Sequence, residues 1–376
     1  MGNTASNRRH VRFSYLPQQF ANPDDILEEL RRFVPTGDFT LGKPVGEFEQ
    51  RFAKTIGVKH AIGVGSGTDA LKLSLKAHGV GYGDEVITAA NTFIATVGAI
   101  AETGARPVFV DCEDTFCMNA EQIENAITEN TKAIMPVHFT GHMADMTRVM
   151  EIAEQYKLPV IEDACQAILA ELNGTRAGTW GAAAGFSLHP QKNLNVWADG
   201  GVVVTNDDAI NDKIRLLRNH GLLNRDEIVT LGYNSRLDSV QAIVGNWLIN
   251  SVNAIADQRI KHAAYLDAGL KDIAGIRIPP RPNNMKCVYH LYVVFAENRD
   301  GLLEYCNENG IEAKIHYPIP LYQQEGLKHF GYKAGDFPVT DRHSLDCITF
   351  PADEHLETEH LDYVIETVRE FYAQQA

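Results

Sequence analysis

Residues 158–206 read LPVIEDACQAILAELNGTRAGTWGAAAGFSLHPQKNLNVWADGGVVVTN, and this stretch decides the fold. Val160 and Ile161 form a short, buried-type strand that runs into the acid pair Glu162-Asp163. A second apolar run, 182–188, leads into His189-Pro190-Gln191-Lys192, and the Gly200-Gly201 step starts a third strand that ends at Thr205. Short apolar strands with helices between them favour a parallel sheet covered on both faces, which gathers ligands at the strands' carboxyl ends. Asp163 and Lys192 each stand near such an end. An amine and a carboxylate converging there suit pyridoxal phosphate, which takes a lysine as a Schiff-base anchor and an acidic partner for its ring nitrogen.

Plainer readings exist for each residue. A lysine after a strand is more often solvated surface, and an Asp before Ala-Cys-Gln often caps a helix. Pro190, the strand before it, the Gly-Gly step after it and Asp163 upstream together favour the covalent anchor. Further upstream, the strand Ala61–Val64 ends in Gly65-Ser66-Gly67-Thr68 and opens a helical pattern through Leu71 and Leu75. Glycines let backbone approach an anion, and a helix N-terminus attracts it. The letters GVGSGT depart from GxGxxG because Thr68 holds the third glycine's place, and there is no GK[ST]. By itself such a turn is more often structural. Phe93 follows another strand end, where an aromatic either stacks on a flat ligand or fills the core. His138 and His142 flank Phe-Thr-Gly with no carboxylate or cysteine to complete a site, so no metal is expected.

Around this centre, strands at 86–89, 107–110 and 132–137 alternate with helices at 92–102, 120–127 and 146–156, the signature of one α/β domain. Phe48, Phe52 and Ile56 recur at helical spacing before Gly57. A continuous helical region spans 239–270, of the kind that links a large domain to a small one, and the Pro-rich 278–284 follows. The expected division is a large α/β domain over 1–250 and a small α+β domain over 251–376, the latter with strands at 288–295 and 312–317 and helices at 301–309 and 361–372.

The 376 residues suffice for two or three domains and a large core, and 44% hydrophobic with 22% charged residues is ordinary globular composition. A net charge of −15 argues against a nucleic-acid or anionic-membrane partner. Six cysteines without a CxxC pair, and no membrane-length apolar run, lead to a cytoplasmic setting as the expectation. MGNTAS matches the myristoylation pattern in letters and is read as coincidence.

The motifs along the chain carry a specific resemblance. VIEDACQA and FSLHPQKNLNVWADGG, with GDFTLGKPVGEFEQRFA, VGSGTDALKLSL, GDEVITAANTFIAT, GYNSRLDSVQA and KIHYPIPLY in the same order, resemble the DegT/DnrJ/EryC1/StrS family of nucleotide-sugar aminotransferases over nearly the whole chain. The resemblance implies a fold-type-I transferase with a mostly parallel, seven-stranded-type sheet and pyridoxal 5′-phosphate as cofactor. It implies Lys192 as the anchor, Asp163 on the ring nitrogen, Gln166 on the phenolic oxygen and Phe93 stacked on the ring. It further implies Gly67, Thr68 and Ser187 on the phosphate, which Asn234 reaches from the neighbouring subunit of a homodimer with shared sites. In 3-aminotransferases of the family, the positions of His189, His316 and Tyr317 surround the sugar; His189 stands where several relatives have an aromatic, and Ala198 where Gly is usual. The implied reaction aminates a nucleotide-linked ketosugar, at C3 in this reading, with glutamate as donor, in bacterial surface-polysaccharide or unusual-sugar biosynthesis. Amination at C4, a sugar 3-dehydratase (whose members carry His for the lysine) and a non-catalytic cofactor-binding regulator are the alternatives.

Overall fold

A computed structural model describes residues 10–375; the MGNTAS match lies outside them. Helix α1 (Asp24–Phe33) precedes α2 (Lys43–Ile56), whose Phe48, Phe52 and Ile56 are buried as one stripe and whose C-terminus is capped by Gly57 at φ +91°. Truncating Phe48 or Phe52 to alanine would cost roughly 3–5 kcal/mol of that packing. Seven strands follow: β1 (His60–Val64), β2 (Glu85–Ala89), β3 (Arg106–Val110), β4 (Thr131–Met135), β5 (Ile161–Asp163), β6 (Ala183–Ser187) and β7 (Gly201–Thr205). Four of them lie in the order β1-β7-β6-β5 and three in the order β3-β2-β4. Parallel bridges Ile134–Val160 and Val137–Asp163 join β4 to β5, so the seven make one sheet. Only β7 runs antiparallel to its neighbours. Its three valines are fully buried, because helices cover both faces of the sheet.

The helices between the strands are α3 (Gly67–Ala77), α4 (Ile94–Ala101), α5 (Met146–Tyr156) and α6 (Asp208–Leu217). α4 begins two residues later than its pattern predicts. Phe93 has an extended backbone at φ −71° and ψ 146°, which leaves Asn91 to Phe93 as a loop on the sheet's edge. The helix expected at 120–127 is a 3₁₀ turn (Ala120–Gln122) and one α turn (Ile123–Ala126).

The continuous helix expected over 239–270 is two, α7 (Ser239–Leu248) and α8 (Val252–Leu270). The Asn250 side chain donates to the carbonyls of Asn246 (3.4 Å) and Trp247 (3.1 Å), and Arg51 from α2 also bonds Asn246. These side chains satisfy carbonyls that a continuing helix would have used. α8 buries Val252, Ile255 and Ala256 in the core of the large sheet and Ala263, Leu266 and Leu270 in a second core.

That second core lies under an antiparallel sheet of Ile276–Arg277, β8 (Tyr292–Ala296) and β9 (Cys347–Phe350), packed with α9 (Arg299–Glu308) and α10 (Thr358–Ala373). Val11 and Tyr15, at the other end of the sequence, belong to it too, through a Val11–Ile311 bridge. The segment 312–317, expected as a strand, pairs only at Lys314–Thr349, and prolines at 318 and 320 remove the donors that could extend the ladder.

Candidate active site

The carboxyl ends of β5 and β6, the end of β1 and the start of the reversed β7 meet at one edge of the sheet, around a cavity of about 290 Å³. Ten of the eleven residues singled out above line it: Gly67, Thr68, Phe93, Asp163, Gln166, Ser187, His189, Lys192, His316 and Tyr317.

The floor of the cavity is tightly built. α3 sits so close to the sheet that a Cβ on Gly67 would meet that of Ser187 at 2.7 Å, and one on Gly201 would meet the Ser66 carbonyl at 2.2 Å. Both positions therefore exclude any side chain, which explains the glycines at each end of the junction. Ser66 caps α3 by accepting from the Asp69 N–H at 3.1 Å, while the N–H groups of Gly67 and Thr68 open the helix. Ser187 Oγ accepts the His189 N–H at 3.3 Å, so its own proton is free to donate beside those amides.

No helix follows Asp163, so it caps none. One carboxylate oxygen accepts from Thr96 Oγ1 at 2.7 Å and the other from the Cys165 N–H at 3.2 Å; Thr96 in turn bonds Thr92 at 2.6 Å. The carboxylate plane is thereby fixed in a buried position. Gln166 accepts the Thr140 N–H at its Oε1 (2.7 Å), which leaves its amide NH₂ as the donating end. Burial pulls the Lys192 amine below the ordinary lysine range, with Cys165 and Asp163 opposing, while burial and then Asp163 keep Cys165 a neutral thiol. Lys192 Nζ lies 3.3 Å from His290 Nε2.

The opposite wall comes from distant parts of the chain. His316 bonds Thr349 Oγ1 through Nδ1 at 2.8 Å, and burial, then Lys314 and Lys192, lowers it to about 4, so it lines the cavity as a neutral ring. Tyr317 sits 6.2 Å from the half-exposed Phe93, ring to ring, and burial pushes its phenol above the ordinary range. His189 Nδ1 accepts the Gln191 N–H (3.3 Å), which presents Nε2–H outward. Phe13, with Lys314 over its ring at 4.0 Å, and Arg259 complete the rim.

Asn234 is not in this cavity. It lines a separate crevice of about 280 Å³ with Phe39, Thr40 and Arg236. Its neighbour Ser235 accepts the Gly65 N–H (3.1 Å) and donates to Asp69 (2.8 Å), tying that loop to the back of the glycine turn. Leu223, Ile228, Val229 and Leu231 just before it are exposed. His138 and His142 are used locally: His138 bonds Glu162 (3.0 Å) and the Ala144 N–H (3.3 Å), and His142 the Met143 carbonyl (2.9 Å).

Sequence reading passed over Thr92, Thr96, Arg259, Lys314 and His290, all of which line the cavity. The Thr92/Thr96 spacing beside a strand end was a usable signal. A lone His in an apolar run, or a Lys and an Arg among many, carries none.

The sequence profile of the DegT/DnrJ/EryC1/StrS aminotransferase family matches residues 21–369. The chain belongs to that family. A relative from Geobacillus stearothermophilus named pleiotropic regulatory protein is 41% identical over 351 residues, covering 93% of this chain and 94% of the relative. The dTDP-3-amino-3,4,6-trideoxy-alpha-D-glucose transaminase of Micromonospora megalomicea is 39% identical over 367 residues, 95% of this chain and 97% of the relative. Among solved structures, S. venezuelae DesV in complex with a ketimine intermediate superposes with a TM-score of 0.94 at 35% identity, covering 96% and 98% of the two chains. The fold is accordingly that of the fold-type-I pyridoxal-phosphate enzymes, and the chain is an aminotransferase.

Proposed function

We propose that this aminotransferase converts a nucleotide-linked 3-ketosugar to the 3-amino sugar, with pyridoxal phosphate as cofactor and glutamate as amino donor. The observation that carries the reading is one cavity holding a partly buried lysine, a fixed buried carboxylate and the amide end of a helix. These residues fit the cofactor. Lys192 is its covalent anchor, Asp163 holds its ring nitrogen protonated, Gln166 donates to its phenolic oxygen and Phe93 lies on its ring. The Gly67 and Thr68 amides and the Ser187 hydroxyl receive its phosphate at the start of α3, where the helix dipole favours negative charge. When bound, the cofactor supplies a carbonyl that accepts an amino group and a ring that delocalises the electrons of a breaking C–H bond.

Lys192, once free of its anchoring role, would carry the proton to and from the substrate carbon, and burial lowers its basicity in the direction that favours the uncharged amine. Asp163, fixed by Thr96 and the Cys165 N–H, is the partner for the ring nitrogen. His189, His316 and Tyr317 orient the hexose by hydrogen bonds, and the neutral state of His316 suits an uncharged hydroxyl. The names of the relatives from Micromonospora megalomicea and Acidithiobacillus ferrooxidans, the latter a UDP-N-acetyl-3-dehydro-alpha-D-glucosamine 3-aminotransferase, support a 3-keto substrate. The expected setting is a homodimer in the cytoplasm, with Asn234 reaching the partner's phosphate across the interface and a division of each chain near residue 250. The separate crevice of Asn234, the exposed apolar loop beside it and six free cysteines support this. Bacterial surface-polysaccharide or unusual-sugar biosynthesis is the corresponding pathway class.

Purified protein given pyridoxal phosphate, glutamate and a panel of ketosugar nucleotides tests the reading. Release of 2-oxoglutarate with NMR of the product carrying nitrogen on C3 is the expected result. Nitrogen on C4 overturns the regiochemistry alone, and turnover without 2-oxoglutarate overturns glutamate as the donor.

A further inference from the structure

His290 touches the polar groups around it at one point. Its Nε2 lies 3.3 Å from Lys192 Nζ, and its Nδ1 is buried with no hydrogen-bond partner among the described residues. A histidine kept for structure commonly uses both nitrogens, as His138 does between Glu162 and the Ala144 N–H. The ring of His290 has no such second anchor, so the lysine contact is not a by-product of some other bond.

The backbone flanking it, by contrast, is held by three hydrogen bonds. The Val288 carbonyl accepts from Asn193 Nδ2 at 3.0 Å, which fastens the segment to the residue after Lys192. The Val288 N–H donates to Gly141 (3.1 Å) and the Leu291 N–H to Thr140 (3.2 Å), the turn whose amide also holds Gln166. A segment distant in sequence is thus stapled to the lysine loop, with an imidazole beside the amine.

We propose that His290 is a positioning residue for Lys192, accepting a hydrogen bond from the amine at Nε2 and so aiming its lone pair into the cavity. The reason is geometric. An uncharged amine has one lone pair, and spending one N–H on His290 turns that lone pair away from the imidazole, toward whatever occupies the cavity. Among the titratable groups facing the pair, the charges favour this polarity: the Asp163 carboxylate acts on the amine beside the neutral Cys165 thiol, and the Arg259 guanidinium acts on the imidazole beside the rings of His189 and His316. Burial and then Lys192 hold His290 well below the ordinary histidine range, so the ring stays an acceptor. The proposal rests on the reading of Lys192 as the covalent anchor.

The test is the rate at which cofactor-free protein forms its covalent linkage with added pyridoxal phosphate, followed by visible absorbance across pH. Only the uncharged amine attacks, so the profile reports the basicity of Lys192 and its plateau reports aim. His290→Leu removes an acceptor from the ammonium form; the half-maximal pH should fall by about one unit and the plateau by roughly tenfold. His290→Asn retains an acceptor and should restore most of both. An unchanged Leu profile, or an Asn profile as altered as that of Leu, overturns the proposal. If the Leu variant does not fold, ¹⁵N histidine NMR of the wild-type protein, assigned with His290→Asn, decides: a proton on Nδ1 supports the acceptor role, and a proton on Nε2 overturns it. Failure of the wild-type protein to form the linkage, with Lys192→Ala behaving identically, sinks the Lys192 reading and this proposal with it.

Discussion

The floor and the wall of the cavity are made differently. The floor, with Gly67, Asp163, Ser187 and Lys192, consists of strand ends, the turn after one of them and a helix start, held by contacts among the sheet and the helices that cover it. The wall, with His316 and Tyr317, is irregular chain that borrows its order from β9 through Thr349 and from the N-terminal Phe13. Chemistry that needs a fixed amine and a fixed charge belongs on rigid elements, and a surface that must suit one sugar is better carried by loops. The difference predicts that floor variants harm both half-reactions and wall variants only one.

The largest effect is expected at Lys192. Lys192→Ala should abolish turnover and the visible absorbance of the lysine–cofactor linkage while the folded protein persists by circular dichroism. Ordinary turnover in that variant would rule out Lys192 as the covalent anchor and proton carrier. Asp163→Asn should retain cofactor yet slow both half-reactions on the order of a thousandfold, since a neutral amide cannot hold the ring nitrogen's charge. Near-normal single-turnover rates would reduce Asp163 to a bonding partner of Thr96.

On the wall, His316→Asn and Tyr317→Phe should depress the sugar half-reaction by roughly a hundredfold, the scale of a small misplacement, while the glutamate half-reaction stays nearly intact. Equal losses in both would erase the distinction between floor and wall. Asn234→Ala tests a third place, the crevice outside the cavity. A single lost bond to phosphate should weaken cofactor binding by about tenfold, measured by equilibrium titration, without changing single-turnover rates at saturation.

The smallest expected effect concerns acid. His316 falls from an ordinary value of 6.5 to about 4 on folding, through burial first. The unfolded chain therefore takes up this proton before the folded one does. Stability contributed by the neutral ring is present above pH 6.5 and is lost as pH falls toward about 4. Denaturant titrations of His316→Asn should show a shallower decline in that window, by at most about 1.4 kcal/mol per pH unit. Parallel curves would mean that the ring is solvated when folded.

Much of the floor was legible because its signals are local. Asp163 and Lys192 follow apolar runs, and Gly67 and Gly201 stand where a helix and a strand must approach within a side chain's thickness. The helix break at 249–251 was not legible, since Asn250 and Arg51 cap α7 from positions that no helical pattern marks. The start of α4 was misplaced for a related reason: Ile94 onward is helical, but the extended Phe93 answers to the sheet's edge and not to helix propensity.

The sequence by itself determined the alternation of strand and helix, the meeting of Asp163 and Lys192 at one sheet edge and the family, because period, strand length and motif order are properties of neighbours along the chain. Tertiary structure alone decided that Val11 and Tyr15 join a core made by residues 263–371, that Thr96 holds Asp163, that Asn234 lines a crevice apart from the cavity, and that His290 meets Lys192. Those pairings lie far apart in sequence, where no periodicity reaches. They exist because burying both cores at once leaves the chain one way to bring such segments together.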